Sequence, residues 1–379
     1  MTEPRVAVVG AGPVGATVAA LLARPGVEIA LFEARASRSS DPRTLALSHG
    51  SRELLESIGA WPRDATPIRS IHVSQKGGPG RTLLECGDQG LPALGYTVGY
   101  SELEAALWQR LAAQGIAVHT GEACEAIELD EAEAHARFAS GRSVRARLLV
   151  LADGGTSAAR IPGIAFAEKD YGQAAVVAAV RTDKAHDARA YERFTPSGPV
   201  ALLPVADRFA LVWSMTPQSA ADHVALDDRA FLAALQAHFG DRAGRFVSVE
   251  RRASFALRLR SVNSPVALRT AIVGNAAQAL HPIAGQGLNL GLRDAAVLAA
   301  TAAHHGAEAW GAPAMLSAYR EARRGDVSRG IAFTDFLVGA FADARGVPTW
   351  LRGAALTALD LVPPARRAFA ERMIHGTYR

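Results

Sequence analysis

Residues 5–33, RVAVVGAGPVGATVAALLARPGVEIALFE, constrain this chain more tightly than any other stretch. An apolar run of strand length, Val6 to Val9, enters the loop Gly10-Ala11-Gly12-Pro13-Val14-Gly15, continues as an Ala- and Leu-rich helix and returns through Val27–Phe32 to Glu33. Strand, glycine turn, helix and strand make a dinucleotide-binding unit. In such a unit Gly10 permits the tight turn, Gly12 lets the backbone come up to a pyrophosphate and Gly15 lets helix pack on strand, while the helix N-terminus attracts the phosphates. Glu33 falls about 20 residues further on, where an acid holds ribose hydroxyls. The glycine spacing alone is a weak signal that a turn in any α/β protein can produce; the strands on both sides and the terminal acid make it a strong one. A carboxylate there repels a 2′-phosphate, so the site favours the ADP part of FAD or NAD(H) over NADP(H).

With 379 residues, 49% hydrophobic and 21% charged, the chain is long enough for two domains and reads as an ordinary globular protein. The net charge of +4 comes from scattered arginines rather than a basic block, which argues against a nucleic-acid partner and leaves an anionic membrane surface open. Cys86 and Cys124 are isolated, without a CxxC or a Cys/His cluster, so neither a disulfide framework nor a metal site is expected. Met1–Pro4 runs directly into the first strand, and no apolar run reaches the roughly 18 residues of a membrane span. A cytoplasmic protein is expected.

Further along, RTLALS at 43–48 leads into a helix carrying Leu54, Leu55 and Ile58 at helical spacing. Arg43 follows closely on the ribose-binding acid, well placed to meet phosphate. Residues 69–100 change to short β-like pieces broken by glycines, and Leu103, Leu107 and Leu111 then mark a helix before strand Ile116–His119. A β-meander over 122–148 and the unbroken apolar run Leu148–Ala152 deliver Asp153-Gly154 to a strand end, where ligands bind in open α/β sheets; the bland alternative is a plain Asp-Gly turn. Residues 171–256 alternate in long strands with one amphipathic helix near Arg229–Phe239. Phe194, Leu203 and Trp213, with Leu202, are candidates to line a pocket there, against the alternative that they are simply core. Val266–Val273 reads as the last buried strand, ending in Gly274-Asn275 before a second glycine turn, Gly285-Gln286-Gly287-Leu288-Asn289, that opens helix Leu288–Ala303. The organisation expected is a discontinuous nucleotide domain (1–68, 101–168 and 257–330), a β-sheet substrate domain (69–100 and 169–256) and C-terminal helices (331–379).

With these residues in order, the chain resembles the flavoprotein aromatic hydroxylases of the para-hydroxybenzoate hydroxylase fold, most closely their ubiquinone-biosynthesis branch. GAGPVG at 10–15, RTLALS at 43–48, ADGGTSAAR at 152–160, ALLPVADRFALVWS at 201–214 and HPIAGQGLNLGLRDA at 281–295 carry the likeness over nearly the whole chain. The resemblance implies an α/β fold: a Rossmann-type FAD-binding domain of parallel sheet plus β-meander, an inserted mixed β-sheet substrate domain and a C-terminal helical region. It implies that Gly10, Gly12, Gly15 and Glu33 hold the ADP part of FAD, that Arg43 contacts the diphosphate and that Asp153-Gly154 supports both FAD and an approaching nicotinamide. The Gly285–Asn289 turn would hold the isoalloxazine, with His281 and Pro282 flanking it. One departure is Asn275, where the family usually carries an Asp on the ribityl chain. The loss of charge weakens that hydrogen bond by about 1 kcal/mol.

The chemistry implied is reduction of FAD by NADH, NADPH or another donor, addition of O2 to give the C4a-hydroperoxide, and attack on it by an electron-rich phenol, here a polyprenylated one. No second GxGxxG unit follows, so the nicotinamide would dock transiently. Two rival readings remain at this stage: a related flavoenzyme such as a halogenase or reductase, though no WxWxIP-type segment is found, and a non-catalytic accessory flavoprotein of a biosynthetic complex. Homo-oligomers and complexes with other quinone-biosynthesis proteins stay open. In the C-terminal region Phe333, Phe336, Leu337 and Phe341, then Trp350, Leu351, Leu356, Leu359 and Leu361, stud two helices too short to span a bilayer. In the final 29 residues Arg352, Arg366, Arg367, Arg372 and Arg379 outnumber Asp360 and Glu371. That combination suits peripheral contact with an anionic inner-membrane face, each basic residue adding about 1 kcal/mol; the alternative is packing over the protein or a subunit contact.

Overall fold

The computed structural model describes residues 5–78, 80–280, 285–342 and 348–375; His281, Pro282 and Arg379 lie outside the described residues, as do the side chains of Leu337, Phe341 and Arg372. At its centre the fully buried strand Val6–Val9 pairs in parallel with Ile29–Glu33 on one side and Leu148–Leu151 on the other. The sheet continues outward to Ala117–Thr120 at one edge and to Thr270–Ile272 and Val266–Ala267 at the other. The expected single strand Val266–Val273 is a hairpin instead. Arg269 takes a positive φ of 55°, the chain reverses there, and only Thr270–Ile272 joins the parallel sheet.

The glycine turn sets the spacing of this layer. Gly10 has φ +99°, and a Cβ on it would lie 2.6 Å from the backbone carbon of Ala152 on the neighbouring strand end. A Cβ on Gly15 would lie 2.0 Å from the Gly10 carbonyl oxygen, so helix Pro13–Leu22 sits directly on the turn that precedes it. Helices Tyr100–Ala113 and Gln286–His305 pack beside it, and their shared core runs through Val18, Leu22, Leu107, Leu298 and Trp310. The other face is covered by the antiparallel meander Cys124–Leu129, Ala134–Phe138 and Ser143–Ala146, where the rings of Phe32 and Phe138 stack at 4.3 Å.

The second large sheet has eight strands, in the order Gln278–Ala279, Phe246–Val262, Phe166–Thr182, Arg208–Met215, Val200–Val205, Arg189–Phe194, Ser70–Gln75 and Arg81–Glu85. Its side chains alternate between two faces. Leu202, Leu211 and Trp213 turn to one face, beneath helices Pro217–Ala225 and Asp228–Phe239. The first of these helices is additional to the one expected near Arg229–Phe239; Pro217 opens it and the Thr216 hydroxyl accepts from the Ser219 amide at 3.3 Å.

Over the other face lie C-terminal helices Thr349–Leu361 and Pro363–His375, which follow the long helix Pro313–Ala342. The Thr82 hydroxyl donates to the Leu356 carbonyl at 2.6 Å, Asp360 accepts from the Leu83 amide at 2.9 Å, and Arg366 pairs with Asp88 at 3.0 Å. A small third sheet, Thr44–Ser48, Gly95–Gly99 and Thr66–Ile68, joins the two halves. Gly15→Ala drives a methyl group into the Gly10 carbonyl and should destabilise the protein by about 1–3 kcal/mol. A guanidinium chloride midpoint equal to wild type at unchanged slope would contradict this packing account.

Candidate functional site

The C-terminal ends of the parallel strands carry the candidate nucleotide site. Glu33 is buried at the end of its strand and accepts from the Ala11 amide at 2.9 Å and from the Arg35 backbone and guanidinium at 3.0 and 2.8 Å. Burial alone would raise its pKa, but these hydrogen bonds outweigh it and hold the carboxylate below its ordinary range. Arg35 is fixed in turn by Glu104 at 2.7 Å. Gly12 stands in extended conformation just before helix Pro13–Leu22, with no side chain capping that helix end. A Cβ on Gly12 would meet only the Tyr100 hydroxyl, at 3.3 Å. The half-exposed Arg43 guanidinium lies 5.6 Å above the Tyr100 ring and pairs with Asp41 at 2.6 Å. Gly12, Arg43 and Tyr100 are therefore brought together from positions up to 88 residues apart in sequence.

Asp153 turns its carboxylate back on its own loop, accepting from the Gly155 amide at 3.0 Å and the Ser157 amide at 2.9 Å. Gly154 has φ +77° and nothing within 4 Å of where its Cβ would be, while its carbonyl accepts from Arg260. Asn275 is exposed on the turn after the last strand. Behind that turn the buried Asp294 accepts from the Gly274 backbone amide at 2.9 Å and the Gln278 side-chain amide at 2.6 Å and pairs with Arg323 at 2.7 Å. A carboxylate thus fixes the turn that carries Asn275 from the side away from solvent.

At the second glycine turn Gly285 takes φ +61° and precedes helix Gln286–His305. A Cβ on Gly287 would face open space. The side chain of Asn289 is fully committed to protein: its oxygen accepts from the Ser48 amide at 2.8 Å and the Ser51 hydroxyl at 2.7 Å, and its nitrogen donates to the carbonyls of Ala46 at 3.0 Å and Gly285 at 2.8 Å. Its part in the site is to clasp the turn to strand Thr44–Ser48. The described residues fit FAD: an uncapped helix end at Gly12, a buried ribose-height acid, and two glycines, Gly154 and Gly287, beside space that the fold itself leaves unfilled.

From Gly285, Gln286 and Asn289 a cavity of about 360 Å³ extends along the second sheet and under the C-terminal helices. Phe194 and Leu203 form part of its sheet wall, Leu356 and Phe369 part of its roof, and its lining is almost wholly apolar. Trp213 does not reach it. Its neighbour Val212 faces the cavity, so Trp213 points to the opposite face and packs against His223 at 4.7 Å and His238 at 5.0 Å. Period-two alternation sends consecutive residues to opposite faces, which is why Leu203 faces the cavity and Leu202 does not.

Sequence reasoning missed Glu192. It sits two residues before Phe194 on the cavity face, opposite Val73 on one neighbouring strand and Ala201 on the other. Burial pushes its carboxyl up to about 7. The available signal was the register itself: on a strand, the partner of a pocket-facing Phe at i−2 shares its face.

The family profile described as FAD binding domain matches residues 3–334. With the fold and the site this defines an FAD-dependent monooxygenase of the aromatic hydroxylase type. The chain is 36% identical over 377 residues to ubiquinone hydroxylase UbiL of Rhodospirillum rubrum, covering 96% of this chain and 88% of the relative. It is 30% identical to 3-demethoxyubiquinol 3-hydroxylase of Escherichia coli, over 85% of each chain, and 29% identical to human ubiquinone biosynthesis monooxygenase COQ6, over 97% and 92%. The chain belongs to this family of ubiquinone-biosynthesis hydroxylases. Among solved structures, p-nitrophenol 4-monooxygenase PnpA of Pseudomonas putida superposes with a TM-score of 0.78 at 18% identity, over 100% of this chain and 99% of that one, which is a likeness of fold.

A carboxyl whose folded pKa is raised binds more protons folded than unfolded, so Glu192 costs stability increasingly as pH rises from the ordinary 4.5 to about 7. Glu192→Gln removes that cost. Its melting temperature should exceed wild type at pH 8 by something on the order of a few °C, and the gain should vanish near pH 4.5. A pH-independent difference would show that the carboxyl is not shifted.

Proposed function

We propose that this chain hydroxylates the aromatic ring of a polyprenylated phenol in ubiquinone biosynthesis, with FAD bound non-covalently, NADH or NADPH docking transiently as reductant, and O2 as oxidant. The observation that carries the reading is the apolar cavity beginning at the Gly285–Asn289 turn. The cavity has room for a phenol ring carrying an isoprenoid chain, and each methylene of that chain buried against its apolar walls contributes about 0.8 kcal/mol. When bound, FAD supplies the oxygen activation. The protein's part is to hold and to keep dry. Gly10, Gly12, Gly15 and Glu33 would take the ADP part, Arg43 the diphosphate and Asp153-Gly154 the junction with the flavin. Gly285, Gln286, Gly287 and Leu288 would present backbone to the ring, and Asn275 would meet the ribityl chain. His281 and Pro282 keep the flanking role that the resemblance implies. The relatives' names point to the same substrate class.

Purified protein should show flavin absorbance, alone or after adding FAD, and should convert 2-prenylphenol, with NADH or NADPH and O2, to a product one oxygen heavier. Gly12→Val should lose the flavin while keeping the wild-type circular dichroism, because the added side chain stands over the helix N-terminus and has only the side-chain hydroxyl of Tyr100 to displace. Absent flavin bands in wild type, or full flavin content in the variant, would overturn the assignment.

The substrate's chain also gives a reason for peripheral membrane contact. Among the described residues no helix is long and apolar enough to cross a membrane. Phe336 on helix Pro313–Ala342 and Trp350 and Leu361 on helix Thr349–Leu361 are 63, 67 and 73% exposed, with Leu351 and Val362 beside the last two in sequence. Arg367 is exposed, whereas Arg352 lines the cavity and Arg366 is taken by Asp88, so the basic character turned outward is smaller than the sequence count. Trp350→Ala with Leu361→Ser should reduce flotation with phosphatidylglycerol vesicles several-fold, and salt should weaken the wild-type binding. Equal flotation of variant and wild type would dispose of this contact. Point variants suit the question better than truncation, which would unroof the cavity.

A further inference from the structure

Glu192 places a lone carboxyl in an otherwise greasy wall. Its strand neighbours on the cavity face are Ala190 and Phe194, its cross-strand neighbours are Val73 and Ala201, and the next strands add Thr82 and Val212. Thr82 has its hydroxyl proton engaged by the Leu356 carbonyl. No side chain or amide among the described residues donates to the Glu192 carboxyl, and burial is the sole influence on its ionisation. The other ionisable groups at the cavity wall are Arg352, facing from helix Thr349–Leu361, and Tyr191, whose hydroxyl points through the sheet to the Arg242 carbonyl. A carboxylate held without a donor in such a wall is costly to the fold unless something that enters the cavity supplies one. The molecule that fits the cavity, an apolar chain on a phenol ring, carries a single strong donor, its ring hydroxyl.

We propose that Glu192 is a catalytic residue that receives the ring hydroxyl of the substrate and takes its proton as the ring is hydroxylated. This rests on the phenol-hydroxylase reading above and adds the group that activates the phenol. The hydroxyl O–H bond breaks and an O–H bond forms on the carboxylate. The charge left on the phenolate spreads to the ortho and para carbons, which makes the ring the nucleophile that hydroxylation requires. When aromaticity is restored the attacked carbon releases its hydrogen as a proton, which leaves with the second oxygen atom as water, and Glu192 returns its own to the phenolate oxygen of the product. The carboxylate is regenerated, and no reactant beyond those of the hydroxylation is consumed. A base whose pKa lies close to the working pH suits the task.

The test uses the full-length flavin-loaded protein with 2-prenylphenol and ring-fluorinated analogues whose hydroxyl is more acidic. Glu192→Gln, matched to wild type in flavin content and in circular dichroism at pH 7, should lose at least tenfold in kcat with little change in KM. Wild-type kcat/KM should fall as pH drops through about 7, and the variant should not show that fall. The deficit should shrink as the phenol becomes more acidic, and Glu192→Asp should restore part of the rate. A purely structural role would depress all substrates alike and leave the pH profile in place. Wild-type kcat and an unchanged acid limb in Glu192→Gln, or a deficit independent of phenol acidity, would overturn the proposal while leaving the hydroxylase reading intact. Failure of wild type itself to oxygenate any of the phenols would remove both.

Discussion

The carbonyl oxygen of Gly10 occupies the place where a side chain on residue 15 would have to go. That contact, backbone against backbone, fixes the distance between the first strand and its helix, and the neighbouring approach of Gly10 to Ala152 fixes the second strand end against the first. The uncapped start of helix Pro13–Leu22, the carboxylate of Glu33 and the Asp153 turn are held in one row because these three pieces of backbone cannot move apart without opening a gap in a close-packed layer. The remaining site parts are attached to that row by side chains: Asp294 behind the Gly274 turn and Asn289 across to strand Thr44–Ser48.

The substrate half follows a different logic. Its sheet separates two interiors. One face is an ordinary core, filled by Trp213, Phe231 and Phe239 beneath two helices. The other is only partly filled, because the helices over it stand off far enough to leave a cavity. Both faces are apolar and both alternate with period two, so hydrophobicity alone does not distinguish a core from a pocket.

This explains how much could be read from residues alone. The glycine turns, the buried parallel strands and the helix spacing were legible because each is a local pattern dictated by backbone geometry. The reversal at Arg269 was not, since a positive φ at an arginine leaves no compositional mark. Phe194 and Leu203 were assigned to the wall together with Trp213 because all three are large and apolar; separating them required knowing which face the helix after Thr216 covers. Glu192 was passed over because a charged residue in a strand ordinarily points to water, and only the C-terminal helices make its side the inside. Asn289 looked like a ligand-facing residue, while its partners, Ala46, Ser48 and Ser51, lie about 240 positions away and could not be inferred from spacing.

The roof helices have one more consequence. Arg81–Glu85 is the last strand of the eight-stranded sheet, and its outer side would offer unpaired amides to any passing β-strand. Asp360 takes the Leu83 amide, the Leu356 carbonyl takes the Thr82 hydroxyl, and Gly353 lies so close to Gly80 that a side chain on Gly80 would strike its carbonyl. The same helix that shapes the cavity therefore shields the sheet from edge-to-edge association. Sequence drift in the C-terminal region is answerable to two separate penalties: an altered binding volume, and a chain that polymerises before it ever meets a substrate.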